Sequence, residues 1–558
     1  ASEADEVEKI GIGRTWDEIG KADIILHLLD ASIGPTREDE QTFASFPENI
    51  PVIQVWNKID LSGHKPSLDH IMGTTQVYLS TVPLTLPDNY TLTSLTAPAT
   101  VTLGGSGLTW TETERVGAGS LSDATLSDAT LSVVGQCYVT LKAEKDGSSR
   151  VWALQCSPVP LLGSADNPFP IDSLPDLTAF RDGVNSGTAF SYKHFTIPAL
   201  AENTCFLQTA DITMPTSSWT PTGTSDNPFK GTYDGGGHKV SGWTYSTIAS
   251  GFFRYTEDAT LKNLTVDNVR SGVRAALLYS MRGGTVDNCH ATGSNAINGG
   301  LIYETSESGG ACTILNSSNR NSFSSIQNPS DGSGLQSGSA GGILTLAGST
   351  DVTIRNCHNY GNVTAKYMYY DSKCGGIMGG RKLNTTGNAA NISHCTNSGN
   401  ISNGSSDNPN AKVGGIVGSS ATVSYCHNTG DVFGVGSVGG ISGGTDAVTY
   451  SYNLGNVTFR SNAYSGHHAC GVALGDVSNS FNAGKVVHNG MGHAIGVAGK
   501  KATNCFNVGD VCATNNTAYP IAEGTITSCY SVGRLSGRYI TIGSDGNVDT
   551  TRVPSYSR

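Results

Sequence analysis

Charge is scarce in this chain. Only 14% of its 558 residues are Asp, Glu, Lys or Arg, against roughly a quarter in an ordinary globular protein. The net charge is −12, so a nucleic acid is not expected as the main partner. No run of 18 apolar residues exists, which excludes a membrane-spanning helix. Cysteine is absent before position 137. No G-x-x-x-x-G-K-[ST] phosphate loop occurs anywhere. The opening Ala1-Ser-Glu-Ala-Asp-Glu lacks the basic and apolar regions of a signal peptide. What the chain has in excess is glycine: 70 residues, without the G-X-Y period of collagen.

The composition divides near residue 81. Residues 1–80 hold 6 Lys+Arg and 14 Asp+Glu but only 6 glycines; the other 64 glycines and all 13 cysteines lie beyond. The first piece alternates helix and strand. Glu3 to Lys21 is rich in helix formers. Asp23–Asp30 is a near-continuous apolar run, as expected of a strand covered on both faces. Thr36, with Asp39 three residues on, reads as a helix N-cap. Val52–Trp56 and Gln76–Ser80 read as further strands. The second strand ends in Asn57-Lys58-Ile59-Asp60, where a nucleotide-binding α/β fold would hold a base. The carboxylate would accept from guanine N1 and N2, the Asn would bond O6/N7, and the Lys stem would pack on the ring.

Together, Asp5-Glu-Val-Glu-Lys-Ile-Gly-Ile, the 23–30 strand, Asn57-Lys-Ile-Asp60 and Val77-Tyr-Leu-Ser80 resemble the G domain of the MnmE/TrmE tRNA-modification GTPases. That resemblance implies a guanine site at Asn57, Lys58 and Asp60. Phosphate and Mg²⁺ contacts supply most of the affinity and the catalysis in such enzymes, and their motifs are missing here. The piece is therefore expected to be a remnant or a mis-joined fragment, its guanine-binding residues vestigial, and no cofactor is expected.

Residues 82–160 show Thr-, Val- and Leu-rich alternation broken by Gly104-Gly-Ser-Gly and Lys145-Asp-Gly-Ser. Val134–Lys142 and Ser149–Cys156 should pair as a hairpin within a small β-sandwich.

From 161 to 545 the chain repeats itself, leaving 546–558 as a tail. The core is Cys/Ser-x-Asn-x-Gly-[Asp/Asn]-Val, as in Cys357-His-Asn-Tyr-Gly-Asn-Val and Cys426-His-Asn-Thr-Gly-Asp-Val. Copies start at 357, 395, 426, 451, 480, 505 and 529, at intervals of 38, 31, 25, 29, 25 and 24, so the unit is about 24 residues with insertions. Between copies lie Gly375-Gly-Ile-Met-Gly, Gly414-Gly-Ile-Val-Gly and Gly439-Gly-Ile-Ser-Gly. Each unit is two or three short strands that cannot bury their own apolar side, so the units must stack. The fold class expected is mainly β: a right-handed parallel β-helix, a small sandwich-like domain and an incomplete α/β fragment. Glycines are expected at corners needing φ > 0 or close packing.

The unit resembles the GLUG-motif β-helix family of bacterial surface and secreted proteins, over about 166–535. The opening Asp172–Val184, with Leu174, Leu177, Phe180 and Val184 on one face, implies a capping helix. The resemblance implies a cell-surface or extracellular, non-enzymatic adhesin or binding scaffold, with a glycan or a host or cell-surface protein as partner. A polysaccharide-active β-helix enzyme and a GTP-binding remnant are the alternatives.

No metal site is expected. Cys289-His, Cys357-His and Cys426-His recur in phase, but Ser replaces Cys in other copies, as suits a small inward column. His alternates with Phe, Tyr and Thr, as suits an outward, unselected position. The Asn two places on should form a ladder. No catalytic set is expected either. Glycoside hydrolysis needs two flanking carboxylates, and acids are sparse between 340 and 530. Asp234-Gly-Gly-Gly-His238 resembles a hydrolase fragment but reads as an opening turn. The candidate ligand face is Lys366-Tyr-Met-Tyr-Tyr-Asp-Ser-Lys373, where Tyr367, Tyr369, Tyr370 and Asp371 would stack on and hydrogen-bond a ligand. With the polar insertion Asn403–Lys412 it should project from one edge on adjacent coils.

Overall fold

The structure is a computed structural model. It describes most of residues 162–540 and separate strands and turns between 19 and 157. Residues 1–18, 79–90, 541–558 and several inserted segments, among them 326–337, 366–371, 383–389 and 405–409, lie outside the described residues. The chain forms two compact units, Ala1–Pro170 and Ile171–Arg558. Among the described residues, no helix is long and apolar enough to cross a membrane.

In the first unit, strands Ile25–Asp30, Val52–Asn57 and Thr74–Tyr78 pair in parallel, and Leu68–Ile71 adds an antiparallel edge that the sequence did not signal. Thr36 caps helix Arg37–Ala44 with a full capping box, its side chain accepting from the Asp39 N–H. The 25–30 run is not covered on both faces. Ile25, His27 and Leu29 are buried, with His27 against Phe43 and Phe46, whereas Leu26 and Leu28 are 67% and 63% exposed. A doubly covered strand needs packing on each side, and the described helix supplies one side. Further on, Cys137–Lys145 pairs antiparallel with Ser148–Ser157, the expected hairpin, inside a four-stranded sheet. Ala99–Gly104, Asp128–Val133 and Gly119–Leu121 form a three-stranded one.

The second unit is a parallel β-solenoid of about 13 turns. Helix Leu174–Ser186 opens it, N-capped by Ser173 and ended by Gly187 in the left-handed conformation. Leu177, Phe180 and Val184 are buried, while Leu174 is only half-buried. Each turn then adds one strand to each of two faces; a five-stranded sheet, Phe253–Glu257 to Met378–Arg381, accompanies the earlier turns, and from Phe323–Ser325 onward a third face takes two strands per turn. The first face runs from Cys205–Gln208 to Ile526–Thr527. The second runs from Ile212–Thr213 to Tyr530–Ser531. The third is built from pairs such as Val432–Gly434 and Ser437–Gly439, which merge into the single strand Val511–Tyr519. Every register pair on the first two faces is in phase, for example His427↔Tyr452 and Asn428↔Asn453.

The glycines of Asn-x-Gly do not occupy positive φ. They serve close packing: a Cβ on Gly399 or Gly430 would collide with the carbonyl oxygen of Gly361 or Gly399 in the neighbouring turn. Positive φ is taken by glycine at a few turns, among them Gly236, Gly283, Gly293 and Gly436, but the left-handed corner that recurs through the repeat is held by non-glycine residues.

Candidate ligand-binding face

The repeat core places three side chains of each turn in fixed directions, because strand residues alternate between faces. The Cys/Ser position points inward. Cys357, Cys395, Cys426, Ser451, Ser480, Cys505 and Cys529 are all buried and follow one another in the stack. The N–H of Cys357 donates to Cys395 Sγ, that of Cys395 to Cys426 Sγ, that of Cys426 to Ser451 Oγ, and that of Ser451 to Ser480 Oγ, over 3.0–3.4 Å. The described cysteines that carry a side-chain placement are free thiols. Burial pushes the Cys289 and Cys374 thiols up to about 12, which keeps them protonated and unreactive.

Two residues on, the buried asparagines form a continuous ladder. Asn359 Nδ2 donates to Asn397 Oδ1 (2.7 Å), and the series continues through Asn428, Asn453, Asn482 and Asn507. Each Nδ2 also donates to the carbonyl two residues ahead, as Asn428 does to Gly430 at 2.7 Å.

The residue between them points outward. Cys289, Cys357 and Cys426 therefore face away from His290, His358 and His427, and no Cys–His pair can close on one metal ion. The outward position is not unselected, however. His427, Tyr452, Phe481, Phe506 and Tyr530 form one stack, with centroids 4.6–5.2 Å apart and planes within 6°. Burial in the stack, with His358 a lesser contributor, lowers the His427 pKa and favours the neutral ring.

A second outward column precedes the inward Cys/Ser. It sits at the corner between the first two faces, with φ of 48–55° in every turn: Asn288, Asn316 and Asn356, then His394, Tyr425 and Tyr450, then Asn479, Asn504 and Ser528. Asn suits this conformation; a bulky residue there costs about 1–2 kcal/mol. The three aromatic exceptions are consecutive and stack on one another, at 5.0 Å and 4.9 Å between centroids. Tyr425 and Tyr450 remain 52% and 51% exposed. Because Tyr425 and His427, like Tyr450 and Tyr452, flank one inward residue, the two columns lie side by side. They present ring edges and tyrosine hydroxyls, since neighbours cover most ring faces.

Of the residues singled out from sequence, Asn57 ends strand Val52–Asn57 opposite Asp30. Lys58, Asp60, Tyr367, Tyr369, Tyr370 and Asp371 lie outside the described residues. The strands around that loop are described: Val363–Ala365 pairs with Ile401–Asn403, and Lys373–Gly375 with Lys412–Gly414, so both insertions leave the third face at one corner on adjacent turns. The repeat acids are turn formers. Asp431 Oδ1 accepts from the Asn456 backbone at 2.8 Å, and Asp510 Oδ1 from that of Arg534 at 3.0 Å. Asp234 is likewise occupied. Burial works to raise its pKa, but bonds from Asn263 and Gly236 and the Lys262 ammonium hold it below the usual range. The stacked columns were missed because ring type varies along them; aromatic character recurring one place after and before the Cys/Ser position was the available signal.

No family model matches the chain. It is similar to curated tRNA modification GTPases MnmE over a stretch the size of the N-terminal piece. The match to the one from Janthinobacterium sp. (strain Marseille) is 58% identical over 85 residues, 15% of this chain and 18% of that protein. The one from Herminiimonas arsenicoxydans is 57% identical over 84 residues, again 15% and 18%. The chain thus spans under a fifth of the length of these relatives. Among solved structures, a candidate immunoglobulin A1 protease from Bacteroides ovatus aligns over 57% of this chain and 86% of its own, at 18% identity and a TM-score of 0.35.

Proposed function

We propose that the chain is a non-enzymatic, GLUG-type surface or secreted solenoid that acts as an adhesin or scaffold for a glycan or protein ligand. The observation that carries this reading is the His394–Tyr425–Tyr450 column. At that corner neighbouring turns use Asn, which fits the backbone better. A stacked aromatic pair returns only about 0.5–1.5 kcal/mol, so local packing gives tyrosine no clear advantage there. Aromatic rings held half-exposed on a rigid frame, beside a second ring column, are what a recognition surface requires. The tyrosine-rich 366–371 insertion is proposed to extend the same ligand-binding role from the third face.

The test is a panel of glycans and surface proteins, screened for binding and for cleavage. The double variant Tyr425→Asn with Tyr450→Asn restores the residue of the neighbouring turns. It is expected to fold at least as stably and to lose binding tenfold or more, a change of about 1.4 kcal/mol. Unchanged binding would move the ligand face elsewhere; cleavage of any glycan would replace the scaffold reading with an enzymatic one.

A further inference from the structure

Away from both ring columns, on the third face, two histidines sit one above the other. Strands Ser465–Cys470 and Met491–Ile495 pair in parallel with His468 opposite His493, and the two rings lie 5.1 Å apart. Glu523 follows Ala522, which bridges to Ala498 in the preceding turn. It is the one glutamate between residues 340 and 530. Its Oε2 stands 3.5 Å from His493 Nδ1 and 3.8 Å from His468 Nε2. Both separations exceed hydrogen-bond length. His493 Nδ1, the atom that faces Glu523, is buried and makes no hydrogen bond. A buried imidazole nitrogen left without a partner calls for an explanation.

A shared cation supplies one. The three donor atoms lie within 4.8 Å of one another. Around a tetrahedral ion with bonds of about 2.0–2.1 Å, neighbouring ligand atoms stand roughly 3.3 Å apart, close to the two measured separations. Two imidazoles and one carboxylate are a borderline donor set that suits Zn²⁺ and its neighbours rather than Ca²⁺ or Mg²⁺, and three protein ligands leave a coordination position open. All three residues are half-buried, so the set is reachable from solvent.

We propose that His468, His493 and Glu523 form a divalent transition-metal site of the zinc class, clamping three successive turns near the C-terminal end of the solenoid. The site is independent of the aromatic columns, so it stands or falls apart from the ligand-face reading.

The experiment uses the full, untagged chain, stripped with a chelator. Zn²⁺ is titrated by calorimetry, and Co²⁺ by the visible absorption that reports an imidazole-bound ion. One equivalent is expected to bind at micromolar concentration or below. His493→Ala and the near-isosteric Glu523→Gln should each weaken binding by about tenfold or more, since even outer-shell changes cost that much. His194→Ala, at an exposed histidine outside both sites, should leave zinc binding unchanged. Because Glu523→Gln removes a half-exposed carboxylate and little volume, it guards against loss of binding through misfolding, which circular dichroism would reveal. Absence of micromolar binding, or equal binding by wild type and Glu523→Gln, would overturn the assignment.

Discussion

Phe180, Phe206, Phe229, Tyr233, Phe252 and Phe253 fill the first turns of the solenoid with large rings, each fully buried, with neighbouring centroids 4.6–6.4 Å apart. From Cys357 onward the interior is mostly Cys, Ser, Ala, Val, Ile, Gly and Asn repeated in columns, with Met378 and the stacked pair Phe459 and His488 among the larger exceptions. The two interiors answer different demands. At the start, the helix Leu174–Ser186 must seal a stack against solvent, and irregular packing of big rings covers the most area. In the regular turns every side chain must fit its own copy one strand spacing away, about 4.8 Å, which favours small or flat groups that repeat. A change of size should therefore be felt as a cavity in one region, and a change of hydrogen bonding as a broken column in the other.

Phe180→Ala is expected to have the largest effect. It opens a cavity where four other rings meet Phe180, at a cost of about 3–5 kcal/mol. Chemical denaturation should show it, together with loosening confined to the first turns by hydrogen exchange. Asn428→Ala comes next, at about 3 kcal/mol. It strands the Asn397 amide, the Asn453 carbonyl oxygen and the Gly430 carbonyl in a dry interior, each worth about 1–3 kcal/mol, with partial relaxation. Hydrogen exchange should rise on both sides of turn 428; an effect limited to one turn would mean that the asparagines act separately.

The smallest expected effect is a pH dependence. His488 is fully buried against Phe459, and its pKa falls to about 4, chiefly through burial. The unfolded chain titrates it near 6.5, so the unfolded state binds the extra proton first. Stability is full above that value and is lost as pH falls through 6.5 toward 4. Between pH 7 and 5 the loss is about 2 kcal/mol, and His488→Phe should remove most of this term in paired denaturation curves.

Much of the solenoid was legible because its inward columns repeat chemistry as well as shape. Cys and Ser interchange at 426 and 451, and Asn stays Asn at 428, 453, 482 and 507. The corners were not legible, since Asn, His, Tyr and Ser all occupy one left-handed position there and no spacing rule marks φ. The exposure of Leu26 and Leu28 was hidden for a different reason: an apolar run tells what a strand can bury, not what lies against it. His468 and His493 were missed because the connection between the paired strands of the third face varies in length, which moves them off the motif. Their separation of 25 residues, the same as from Ser480 to Cys505, was the clue available.

The third face has a corner whose length is free. Between its paired strands the connection spans residues 366–372, then 404–411, then 435–436, 460–464 and 489–490, and in the last of these turns it vanishes into Val511–Tyr519. From Val363 to Gly439 the flanking strands keep their register, because each is held by the turns on either side rather than by the connection; further on it shifts once within Ser465–Cys470 and once within Val511–Tyr519. Lengthening such a closed loop costs only about 0.6 kcal/mol per doubling. The corner is thus a port for grafts, where new peptide can be inserted or discarded by evolution, or by an engineer, while the frame that displays it goes on folding as before.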